Sequence, residues 1–123
     1  MAARNQMMQR ILDDVERYNG RRQVARASII DKLLVKKVSP DKLHPNPDDE
    51  FSQIKIGPNE SIIERYNQLA RRSMAMNQPV YDEPIIVQKL ANVDGYLILN
   101  GHHRWAGAVK AMVPKVRITI VNY

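Results

Sequence analysis

The chain has 123 residues, 44% of them apolar and 26% charged. That composition suits one globular domain with a modest core and excludes a disordered chain. The absence of cysteine excludes disulfides, thiolate metal sites and cysteine nucleophiles. No apolar run approaches the roughly 18 residues that a membrane span needs, and Met1 to Gln6 leads into no apolar leader, so the cytoplasm is the expected location. A formal net charge of +6 favours polyanionic partners, namely nucleotides or DNA.

The charge is unevenly spread. Residues 1–38 carry nine Lys/Arg against four acids, and residues 39–60 carry five acids against two lysines. Over 5–19 the residues Met8, Ile11, Leu12 and Val15 recur at helical spacing, and Gly20 offers a stop. A second helix is expected over 22–32. Residues 1–32 are thus expected to form a helical extension, a candidate for DNA-backbone contact or for a homodimer interface, and residues 33–123 the domain proper.

Leu33 to Val38 reads as a short strand closed by Ser39-Pro40. Leu43 to Phe51 is expected to be irregular, because Pro45 and Pro47 fix φ and remove amide donors. Asn59 or Ser61 should cap a helix to about Arg72 that carries Ile62, Ile63, Tyr66 and Leu69 on one face. Met74 to Gln78 reads as a loop and Pro84 to Val87 as a strand. Asp94-Gly95 signals a hairpin. Tyr96 to Leu99 is an unbroken apolar run, expected of a strand buried on both faces. A helix then begins at once, with Trp105, Ala108, Val109 and Met112 on its inner face, ended by Pro114. The last strand alternates Val116, Ile118 and Ile120 with Arg117 and Thr119. The class is α+β.

Asn100-Gly101-His102-His103-Arg104 joins the buried strand to that helix. The first turn of a helix leaves amides unpaired and carries a partial positive charge, so it attracts anions, phosphate above all. Gly101 allows close backbone approach. His102, His103 and Arg104 place three cation-capable side chains at an end where cations oppose the dipole, a local cost that a bound anion would offset. Asn100 through Arg104 are therefore the candidate phosphate-binding residues. Adjacent histidines on a helix point about 100° apart, which disfavours one shared metal ion. A second candidate is the acidic run Asp48, Asp49 and Glu50. Its carboxylates suit Mg²⁺ together with phosphate oxygens, and one of them suits a general base.

At these residues the chain resembles the ParB/sulfiredoxin superfamily. Val38 to Pro47 is similar to the family's opening strand and proline-containing loop. Pro84-Ile85-Ile86-Val87 is similar to its P-I-x-V strand. Tyr96 to Ala108 is similar to its y-x-i-x-D-G-H-H-R-x-x-A-A signature, and Asn100 stands where aspartate is usual. The resemblance covers roughly 33–122. It implies a small mixed sheet flanked by helices, with G-H-H-R beside a phosphate pocket. The superfamily spans CTP- and DNA-binding partition proteins, ATP-using sulfiredoxins, free-serine kinases and domains labelled nucleases. Sulfiredoxin chemistry needs a cysteine where His102 stands and is excluded. A CTP-gated DNA clamp is not expected, because the further E-N-x-Q-R-like motif of partition proteins is missing after the signature. By analogy with the kinases, Glu50, His103 and Arg104 are the candidate catalytic residues, with ATP, ADP or CTP and Mg²⁺ as cofactors. The competing expectation is a non-catalytic DNA-binding module.

Overall fold

A computed structural model describes residues 35–53, 55–91 and 94–121. The expected helical extension over 1–32 lies outside the described residues. Five strands form one mixed sheet: β1 (Val35–Val38), β2 (Leu43–His44), β3 (Ile85–Lys89), β4 (Tyr96–Asn100) and β5 (Val116–Ile120). Their spatial order is β1-β5-β3-β4-β2. The outer pair β1/β5 and the pair β3/β4 are antiparallel, whereas β3/β5 and β2/β4 are parallel. Two α-helices, α1 (Glu60–Ala75) and α2 (His102–Lys110), pack on each other. The α+β class and the small mixed sheet agree with the sequence.

The core has two sources. Period-two alternation buries Val116, Ile118 and Ile120 on β5 and Ile85 and Val87 on β3. From α2 it gains Trp105, Ala106 and Ala108, all at most 1% exposed. The Trp105 indole N–H donates to the Pro40 carbonyl at 3.0 Å, which ties α2 to the turn after β1. Close helix packing depends on Gly107. A Cβ there would lie 2.5 Å from Tyr66 Cβ and 2.9 Å from the Asn67 amide nitrogen.

Several local expectations need correction. Leu43-His44 was expected to be irregular, yet it forms a two-residue parallel strand beside β4. The prolines begin only at Pro45, so nothing removes the donors of Leu43 and His44. Helix α1 runs to Ala75 and takes in Met74. Met112 was expected on the inner face of α2 but is 84% exposed. The helix stops at Lys110, and Met112 adopts φ 59°, which turns its side chain outward.

The first helix departs from expectation in a way that matters for the site. Asn59 does cap it, its side chain accepting from the Ile62 amide at 3.2 Å. The buried stripe, however, is Ile63, Asn67, Ala70 and Ser73. Ile62, Tyr66 and Leu69 are less buried and sit on the neighbouring face, where they line a cleft. Asn67 is tolerated inside because its amide donates to Glu64 and its oxygen accepts from Arg71.

Candidate functional site

Strand β4 delivers Asn100 to the end of the sheet, and Gly101 then turns the chain with φ 110°. That left-handed value is cheap only for glycine. Gly101 is the N-cap of α2 and has no side chain to accept from the first-turn amides, so no side-chain cap bond is made. This uncapped end opens onto a cleft of about 520 Å³. Asn100 to Arg104 form one wall, Ile62, Tyr66 and Leu69 of α1 a second, and Tyr81, Asp82 and Glu83 a third.

The two histidines are acceptors. His102 Nε2 accepts the Asn46 amide at 3.0 Å, and His103 Nε2 accepts the Asn59 amide at 3.0 Å. An imidazole nitrogen that accepts an N–H carries no proton, so both rings are neutral with hydrogen on Nδ1. Burial pushes the His102 pKa down to about 4; the Asp49 carboxylate opposes the shift and His103 adds to it. Burial also lowers His103, again opposed by Asp49. The helical step of about 100° sends one ring to the proline loop and the other to the start of α1. Phe51, 1% exposed, fills the space between them, with ring centroids 5.3 Å from His102 and 5.0 Å from His103.

The electrostatic expectation is corrected by this geometry. The sequence places three cation-capable side chains at the helix start, a cost that a bound anion would offset. Two of the three are neutral and satisfied by backbone amides. The third, Arg104, curls back over Gly101. It donates to the carbonyls of Glu83 and Pro84 at 3.1 and 3.2 Å and to Asn100 Oδ1 at 3.1 Å. The attraction for an anion therefore rests on the open amides and the glycine, with Arg104 as a positive wall.

The acidic run stands apart from the cleft. Asp48, Asp49 and Glu50 do not converge, and among the described residues no group of three His, Asp or Glu side chains is placed to hold a metal. Consecutive residues of a tight turn point in different directions. Asp49 turns inward, accepting the Phe51 amide at 3.0 Å and lying 3.7 Å from His102 Nδ1. Asp48 and Glu50 are exposed, and none of the three lines the cleft. The loop's structural work is to seat Phe51 under the histidines.

Asp82 and Glu83 are the acids that do line the cleft, and neither belongs to a motif singled out in the sequence. The available signal was the segment Pro79 to Pro84, a proline-bracketed stretch with two acids directly before β3. Tyr81 anchors it. Its hydroxyl donates to the Arg104 carbonyl at 2.7 Å, and burial, with a smaller contribution from Tyr66, pushes its pKa well above the ordinary phenol value against the opposing pull of Arg104. With the histidines neutral, the charged lining is two acids against one arginine.

Comparison with known proteins agrees with this architecture. The family model described as ParB N-terminal domain matches residues 22–123. The chain is 36% identical over 70 residues to an ATP-dependent L-serine kinase of Staphylothermus marinus, a match covering 56% of this chain and 27% of that protein. It is 29% identical over 69 residues to the ADP-dependent L-serine kinase of Thermococcus kodakarensis, covering 56% and 28%. It thus spans about a quarter of the length of these curated relatives. Among solved structures it is similar to the chromosome-partitioning protein ParB of Caulobacter crescentus complexed with CTP-γ-S, with TM-score 0.57, 22% identity, and coverage of 73% of this chain and 45% of that one. A free serine kinase variant in complex with ADP gives TM-score 0.52 at 20% identity, covering 82% and 34%. These structural likenesses show a shared fold.

Proposed function

The chain belongs to the ParB N-terminal domain family, and from that membership we propose that its signature cleft binds a nucleotide with Mg²⁺, the phosphates lying against the Gly101–Arg104 end of α2. The observation that carries this reading is the uncapped helix start, opened by the left-handed Gly101, facing a cleft of about 520 Å³. A helix start supplies amide donors and dipole to a phosphate. The opposite wall, Ile62, Tyr66 and Leu69, is an apolar surface suited to a base and sugar. ParB and the serine kinase variant were each solved with a nucleotide bound, and the curated relatives are ATP- and ADP-dependent kinases.

The lining charge favours a metal-complexed nucleotide over a bare polyphosphate, which Asp82 and Glu83 would repel. Both are hard oxygen donors on the cleft lining; Glu83 Oε2 lies 4.0 Å from Arg104 Nη1, and the pair fits Mg²⁺ held by one or two carboxylates plus substrate oxygens. When bound, the ion supplies charge neutralisation across the phosphate oxygens. His103, with its proton on Nδ1, and Arg104 serve as donor and fixed charge on the same wall. The reaction class that fits is transfer or hydrolysis of a terminal phosphoryl group, in which positioning and electrostatics supply most of the acceleration.

Calorimetric titration with ATP, ADP and CTP, with and without Mg²⁺, tests the proposal. Saturable Mg²⁺-dependent binding to the wild type, weakened in Arg104→Ala, is the expected result. A folded chain that binds none of the three nucleotides in the presence of Mg²⁺ contradicts it.

A further inference from the structure

Residues 81–84 form the lip of the signature cleft, and the backbone of this lip is held in an unusual way. Its four successive carbonyls all accept from side chains. Those of Glu83 and Pro84 accept from Arg104. Those of Tyr81 and Asp82 accept from Nη2 of Arg117, the latter at 3.0 Å. Arg117 approaches from the far side, out of a second hollow of about 770 Å³ whose walls it shares with Tyr81 and Glu83. Two guanidinium groups therefore grip one irregular segment from opposite sides.

The placement of Arg117 makes little sense as strand chemistry alone. It sits on β5 directly opposite Lys37 of β1, and like charges at facing positions of an antiparallel pair repel. Lys115 lines the same hollow. A neutral side chain would relieve this crowding. What Arg117 gains in exchange is a pair of carbonyls that leaves the backbone of the lip with fully engaged acceptors.

We propose that Arg117 is a positioning residue for nucleotide binding, holding the Tyr81–Asp82 backbone so that the Asp82 and Glu83 carboxylates stand at the cleft. The proposal rests on the nucleotide reading above. Arg117 does not line that cleft and acts only through the lip. Both carbonyls accept from the one nitrogen Nη2, which a planar guanidinium holds at a fixed place with two N–H groups, whereas an ammonium sits on a shorter, flexible stem. Lysine at this position therefore holds the lip only in part, and glutamine holds it poorly.

The test uses the full chain with Arg117→Gln, Arg117→Lys and, as control, Lys37→Gln. Affinity is measured for Mg²⁺ with the nucleotide that binds the wild type most tightly, over a range of Mg²⁺ concentrations, alongside the melting temperature. Arg117→Gln is expected to bind about five- to tenfold more weakly and to need more Mg²⁺ for half-saturation. Arg117→Lys should lie between it and the wild type, and Lys37→Gln should match the wild type. A purely architectural role would lower melting without moving the Mg²⁺ requirement. That pattern, or unchanged binding in Arg117→Gln, overturns the proposal. If the wild type binds no nucleotide, the functional reading has failed instead. The grip on the lip is then read by the ¹³C shifts of the Tyr81 and Asp82 carbonyls, which Arg117→Gln should move and Arg117→Lys move less; equal shifts in all three remove the grip as well.

Discussion

Replacing His102 by glutamine separates the two things this side chain does. In the folded chain His102 is 5% exposed, accepts the Asn46 amide and has a pKa pushed down to about 4. In the unfolded chain it titrates near 6.5. Between these values the unfolded state binds the extra proton, so stability is full above about pH 6.5 and is lost as pH falls towards 4. For one such group the loss between pH 7 and pH 5 is about 2 kcal/mol. Glutamine places an oxygen near the position of Nε2, keeps an acceptor for Asn46 and does not titrate. His102→Gln should therefore cost about 1–2 kcal/mol at pH 7 through lost ring packing on Phe51, yet flatten the pH dependence by about 2 kcal/mol. His102→Ala leaves the Asn46 amide unpaired beside a void and should cost about 2–4 kcal/mol at pH 7. Urea denaturation followed by the fluorescence of Trp105, the sole tryptophan, measures all three. A pH 7 to pH 5 loss in His102→Gln as large as that of the wild type would refute the neutral-acceptor assignment.

The remaining predictions concern other parts of the same frame. Gly107→Ala drives a methyl group into Tyr66 and the Asn67 backbone and should destabilise by about 1–3 kcal/mol, read as a lower urea midpoint. Glu50→Gln changes an exposed side chain outside the cleft lining and should leave nucleotide affinity unchanged, whereas Asp82→Asn with Glu83→Gln should weaken the Mg²⁺ dependence. If residues 4–37 track a DNA backbone, retention on DNA should fall steeply with salt, and deleting residues 1–30 should abolish it while sparing nucleotide affinity.

Much of the frame could be read from the residues. Strict alternation over Val116 to Ile120 and the apolar run before Asn100 mark strands because one face, or both, must be buried. Asn59 marks a helix start because its oxygen satisfies an orphan amide. The glycine turn into α2 was legible for the same reason, since strand, glycine and amphipathic helix in succession leave few geometries open. What could not be read was the use of each polar side chain. A histidine pair is cation-capable in sequence, and only the fold shows that burial disfavours its charged form and that the amides of Asn46 and Asn59 donate to its rings. Nothing local in the acidic first loop announces that Phe51 is to be buried beside it and that Asp49 turns towards His102. The backbone that carries Asp82 and Glu83 is tied by guanidinium groups about twenty and thirty-five residues further along the chain, which is long-range information. The apolar stripe Ile62, Tyr66, Leu69 has core periodicity, and only the position of Gly107 against Tyr66 decides that the helix turns a neighbouring face inward.

The most direct measurement is a titration of the ¹⁵N-labelled chain with Mg²⁺ and ATP, or with whichever of ADP and CTP binds more tightly, followed by amide chemical shifts. If phosphate sits at the uncapped start of α2, the amides of Gly101, His102, His103 and Arg104 move first and furthest, and inorganic phosphate at high concentration moves the same set. Saturable shifts that leave those four amides in place would put the ligand elsewhere and contradict the account.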